Sequence, residues 1–121
     1  MLTKIKATNY VMTPDVSAYL DIRLAALEKL VDPDDESVRC EVEIGRDAGK
    51  KQHSDHMWYA EIRIIAAGVN VYAKNRAETV NAAIDDVKEE AQRQLRHNKG
   101  KKFASMRRAG KKVKDWMRFG K

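Results

Sequence analysis

The sequence predicts an α+β domain in the order β-α-β-β-β-α, with a four-stranded, mostly antiparallel sheet and two helices on one face. Two observations carry this. Apolar residues alternate with polar ones at 38–44 and, Ile65 apart, at 58–66, the period of strands with one wet face. Two other segments, 16–31 and 80–95, repeat apolar residues every three or four positions, the period of a helix. Hydrophobic residues make up 43% of 121, enough for one core and too few residues for two.

Lys4 to Thr8 opens as a short strand. Thr13-Pro14-Asp15 is a helix start, with a threonine cap, proline at the first helical position and an acid in the first turn. Val16, Leu20, Leu24, Leu27, Leu30 and Val31 carry that helix to about residue 31. Asp32-Pro33-Asp34-Asp35 then ends it.

Val38, Cys40, Val42 and Ile44 form the inner row of the second strand. Gly45 to His56 is a polar loop that returns the chain as a hairpin. Trp58, Ala60, Ile62, Ile64 and Ala66 are the inner row of the third strand, which leaves Tyr59 exposed if Trp58 is buried. Gly68 marks a tight turn, and Val69, Val71 and Ala73 carry the fourth strand. The second helix is expected over 78–99, on a stripe of Val80, Ile84, Val87, Ala91 and Leu95, with Gly100 as its stop. Residues 1–100 are thus the folded domain, and 101–121 a basic tail, flexible or partly helical when free.

Charge is distributed unevenly. From Lys88 onward thirteen Lys or Arg face three acids, a net of +10, while residues 1–87 hold eleven bases against fifteen acids, a net of −4. A mildly acidic body with a dense cationic end fits a polyanion partner, because each neutralised phosphate releases a counterion. Arg93, Arg96 and Lys99 lie on the last turns of the second helix. Lys101, Lys102, Arg107, Arg108, Lys111 and Lys112 extend the cluster into the tail. Trp116 and Phe119 are interleaved with cations, a pattern suited to single-stranded RNA. On the open sheet face Arg39, Tyr59, Arg63, Asn70, Tyr72 and Lys74 offer a second possible contact surface. Arg76 and Lys88 complete the candidate cations.

Other chemistries find little support. His53-Ser54-Asp55-His56 lacks the second ligand cluster a structural zinc site needs. Asp85 and Asp86 point about 100° apart on a helix and cannot flank one atom. No catalytic triad or phosphate loop appears, so no enzyme, cofactor, metal or small-molecule substrate is expected. Cys40 reads as a small buried hydrophobe. The chain has neither a signal-type apolar segment nor a membrane-length one, which predicts a cytoplasmic protein without a membrane partner.

Arg23-Leu24-Ala25-Ala26-Leu27-Glu28-Lys29, Ala82-Ala83-Ile84-Asp85-Asp86-Val87, and Arg93-Gln94-Leu95 with Lys99 and Lys101 resemble the bacterial ribosome hibernation-promoting factor family, which includes the ribosome-associated inhibitors. The resemblance spans about residues 2–102 and is to the family's short form. Asn81, Glu90 and His97 depart from its pattern. The resemblance implies a monomer off the ribosome that binds small-subunit rRNA between head and body. There it blocks the messenger and transfer RNA path in stress or dormancy. It also implies RNA contacts from Arg23 and Lys29 on the first helix. The competing reading is a general double-stranded RNA-binding module, whose α-β-β-β-α core the element order contains.

Overall fold

A computed structural model of the chain describes residues 1–47, 57–66 and 69–108. The elements are β1 (Leu2–Thr8), α1 (Pro14–Glu28), β2 (Arg39–Arg46), β3 (Trp58–Ala66), β4 (Val69–Ala77) and α2 (Val80–Arg108). The expected order and fold class are both present. The sheet runs β1-β2-β3-β4. β1 pairs parallel with β2, while β2–β3 and β3–β4 are antiparallel. The parallel pair requires a crossover, and α1 supplies it.

Alternation sorts the side chains as the sequence predicts. Val38, Cys40, Val42, Ile44, Ala60, Ile62, Ile64, Val71 and Ala73 point inward and are buried. Leu20, Leu24 and Leu27 from α1, and Ala83, Ile84, Val87, Ala91 and Leu95 from α2, cover them. Each fully buried leucine or isoleucine contributes roughly 1.5–3 kcal/mol over leaving it in water.

α1 starts as expected: the Thr13 hydroxyl accepts a 3.3 Å hydrogen bond from the Val16 amide. It ends three residues early. Beyond Glu28 the chain tightens into i→i+3 bonds, with the Leu30 amide donating to the Leu27 carbonyl at 2.9 Å. Leu30 and Val31 still pack against the core, which is why the apolar pattern outruns the helix.

The β2–β3 hairpin corrects two expectations. Gly45 belongs to the second strand, paired with Tyr59, and not to the loop. Tyr59 is 9% exposed although it stands on the open face. With no Cβ at Gly45, the Tyr59 ring folds over the glycine backbone and leaves water. Trp58 is half-buried, edge-on to Tyr10 with centroids 5.0 Å apart. The expected turn at Gly68 and the His53–His56 segment lie outside the described residues.

α2 also departs from expectation. It begins at Val80, capped by Thr79, whose hydroxyl accepts from the Ala82 amide at 3.1 Å. It then runs through Gly100 to Arg108. A helix-interior glycine costs only about 1 kcal/mol relative to alanine, and the lysines and alanine around it favour helix. At 1.5 Å per residue, the 13 residues after Leu95 extend the helix by roughly 20 Å.

Candidate nucleic-acid interface

The candidate cations fall on opposite sides of the molecule. Arg23, Lys29, Lys88, Arg93 and Arg96 belong to the helical layer, whereas Lys74 and Arg76 stand on the open sheet face. Lys99, Lys101, Lys102, Arg107 and Arg108 lie on the distal part of α2. Lys111 and Lys112 are outside the described residues.

Within the helical layer the cations differ in how freely they can act. Arg96 is exposed and Lys29, the C-cap of α1, is exposed. Arg93 is open to solvent, with a side chain 74% exposed, but pairs one turn back with Glu90. That hydrogen bond raises the Arg93 pKa and holds the Glu90 carboxyl below its usual range. Lys88 donates to Gln92 at 2.8 Å. Arg23 is the most constrained. Its guanidinium donates to the Tyr19 hydroxyl at 2.9 Å, and its Nε lies 3.0 Å from the Asp85 carboxylate. Tyr19 in turn donates to Asp85. The hydrogen bond to Tyr19, then the charge of Asp85, raise the Arg23 pKa.

This Tyr19–Arg23–Asp85 cluster joins α1 to α2, and sequence reasoning gave Tyr19 and Asp85 no such role. The signal was present in the i, i+4 spacing of Tyr19 and Arg23 on one face of α1. It was incomplete because Asp85 is 62 positions beyond Arg23.

On the open face, hydrogen bonds tie acids to tyrosines. Tyr59 donates to Glu43 at 2.6 Å, Thr8 donates to the same carboxylate at 3.0 Å, and Tyr72 donates to Glu61 at 2.9 Å. Lys74 lies 5.0 Å and Arg76 5.6 Å from the Tyr59 ring centre, and Arg63 stacks on Tyr72. Arg76 is ion-paired to Asp47. Lys74 and Arg76 are thus spent partly on their own sheet, in a surface of mixed sign. The helical layer is of mixed sign as well, and its cations gather toward the C-terminal part of α2, where no Asp or Glu follows Glu90 up to Arg108.

Among the described residues no group of His, Cys, Asp or Glu could hold a metal, and no helix is long and apolar enough to cross a membrane.

No curated protein matches the chain. Solved structures do. The N-terminal domain of Protein Y from Thermus thermophilus is similar at 24% identity with a TM-score of 0.63, over 80% of this chain and 98% of that one. A ribosomal subunit interface protein from Coxiella burnetii is similar at 11% identity with a TM-score of 0.63, over 83% and 99%. These likenesses support the fold. Sequence carries the family itself, because the profile described as sigma 54 modulation protein / S30EA ribosomal protein matches residues 3–102. With that span covering nearly the whole folded body, the chain belongs to the sigma 54 modulation / S30EA ribosomal protein family, the group of hibernation-promoting factors that its helix motifs resemble.

Proposed function

We propose that this protein is a non-enzymatic, cytoplasmic translation inhibitor. It binds rRNA of the small ribosomal subunit and blocks the path of messenger and transfer RNA under stress or dormancy. Membership of a ribosomal protein family supports a ribosomal partner. The observation that carries the rRNA assignment is α2 itself. Among the described residues its buried stripe reaches Leu95, and the helix continues to Arg108 through Arg96, Lys99, Lys101, Lys102, Arg107 and Arg108. A helical segment that carries these cations and no acid is a strong polyanion ligand, and phosphates are its natural counterpart.

In this reading Arg93, Arg96 and Lys99 seat the folded body, with Lys29, Lys88 and Arg23 beside them. The segment from Lys101, including Lys111 and Lys112, is a basic extension that adds affinity. Lys74 and Arg76 are secondary. The protein acts as a monomer off the ribosome.

Sedimentation through a sucrose gradient with purified small subunits tests the proposal. The intact chain should travel with the subunit at low salt, leave it as salt rises, and be competed by messenger RNA. Charge reversal of Arg93 and Arg96 should abolish co-sedimentation while the circular dichroism stays native. Binding that survives the reversal would rule out this seat. Equal affinity for any free duplex RNA would favour the general double-stranded RNA module instead.

A further inference from the structure

Gln94 closes part of the β4 edge. Its side-chain amide donates to the Tyr72 carbonyl at 2.8 Å and accepts from the Tyr72 amide at 3.2 Å. Its Nε2 also donates to Glu90 at 2.9 Å, which fixes the orientation of the group. In the β3–β4 ladder Tyr72 faces Arg63 and Asn70 faces Ile65, two residues apart. Antiparallel strands alternate between bonded and non-bonded pairs, so Asn70, like Tyr72, turns its N–H and C=O outward.

One helical turn beyond Gln94 is Asn98, the residue placed to treat Asn70 as Gln94 treats Tyr72. Asn98 is one methylene shorter. Among the described residues neither its side chain nor that of Asn70 has a hydrogen-bond partner. A notch of about 270 Å³ opens there instead, lined by Asn70, Arg93, Gln94, His97 and Asn98. Asn98 also occupies a position where the apolar stripe of α2 would continue, seven residues past Ala91.

We propose that this notch takes a single unpaired RNA nucleotide. The proposal rests on the rRNA-binding reading above and names what that surface recognises beyond phosphate. The free backbone donor and acceptor of Asn70 and the Asn98 amide form the paired donor–acceptor pattern that reads a base edge. Arg93 and His97 present planar groups that stack on a base or meet its phosphate. Gln94 blocks the edge at Tyr72, so a peptide strand cannot extend along β4 there. One base fits the opening; a β-ladder does not.

The test compares two hairpin RNAs by fluorescence anisotropy, one fully paired and one with a single-nucleotide bulge, beside sedimentation with small subunits. The wild-type protein should prefer the bulged hairpin by about tenfold, within the range for one stacked base. In Asn98→Gln the longer amide can reach Asn70 and fill the notch. That variant should lose the preference and keep wild-type affinity for the paired hairpin. Asn98→Ala, which removes the amide without filling the space, should lower the preference several-fold. Equal binding of both hairpins by the wild type, or a preference retained in Asn98→Gln, overturns the notch; subunit binding then leaves the rRNA reading standing. Failure to bind either hairpin or the subunit overturns both.

Discussion

The Tyr59 ring lies over Gly45, its cross-strand partner, so closely that a Cβ on the glycine would sit 2.3 Å from Tyr59 Cζ. The glycine is therefore a packing requirement and not a turn. Gly45→Ala must push the ring off the sheet, and with it the hydroxyl that donates to Glu43. The expected cost is about 1–3 kcal/mol, the usual range for overpacking a close contact. For a domain of this size each kcal/mol lowers Tm by roughly 4–8 °C. Thermal unfolding of Gly45→Ala against wild type measures it, and an unchanged Tm would mean the ring moves freely.

The same ring governs how stability responds to acid. Hydrogen bonds from Tyr59, then Thr8, hold the Glu43 carboxyl below the ordinary glutamate value. The folded state thus binds a proton at Glu43 less readily than the unfolded chain. This contribution is complete above about pH 4.5 and is lost as pH falls through the lowered value. Tyr59 behaves oppositely: burial, then the bond to Glu43, raise its phenol, so its contribution holds below about pH 10 and fades as pH rises. Tyr59→Phe should move the Glu43 titration upward and flatten the acid limb of stability. Urea unfolding between about pH 3 and 7 reads the slope, and carbon-detected NMR reads Glu43 directly.

Arg23 should matter less to rRNA than its place in the sequence motif implies. Its guanidinium already serves Tyr19 and Asp85 across the α1–α2 seam. Arg96 has no such partner among the described residues. Arg96→Ala should weaken small-subunit binding several-fold and reduce the salt slope of affinity by roughly one. Arg23→Ala should change affinity by less than about twofold and leave that slope nearly unaltered. Titrations at three salt concentrations compare them, and a larger slope change for Arg23 would show that the ion pair opens on binding.

Cys40 should be inert in the native protein. Burial, reinforced by the charges of Glu41 and Glu28, pushes its thiol up to about 11. At neutral pH about one thiol in ten thousand is ionised, and the sulfur is inside the core. Iodoacetamide labelling should therefore track the unfolded fraction across a denaturant series. Rapid modification without denaturant would contradict the packing.

The fold was legible because its core residues keep one period at a time. Val38 to Ile44 alternate and Val80 to Leu95 repeat at helical spacing, so layers and faces follow from the chain. What escaped were relations between distant positions. The Tyr59 burial depends on a missing side chain at Gly45, fourteen residues away, and the tie of Arg23 depends on Asp85. Neither pairing leaves a local trace. Gly100 misled for another reason: it resembles a helix stop, yet stopping requires a chain that gains by turning. Of the candidate cations, the sequence separated the helical cluster from Lys74 on the open sheet face, but it left Arg76 without a face and did not show that Arg76 is paired with Asp47.

That glycine yields the last prediction. Gly100 lies five residues beyond Leu95, in a part of α2 whose cations repel one another three positions apart, as Arg96 with Lys99 and Lys99 with Lys102. Replacing it with alanine favours helix by about 1 kcal/mol. Gly100→Ala should therefore raise the helical circular dichroism signal at low salt and leave the Tm of the body unchanged. If the extended helix is the form that meets rRNA, the variant has less ordering entropy to overcome and should bind small subunits up to about fivefold more tightly. Gly100→Pro should do the reverse, reducing helicity and affinity together. A Gly100→Ala protein that gains helix yet binds more weakly would mean that the distal segment bends at this residue on the ribosome.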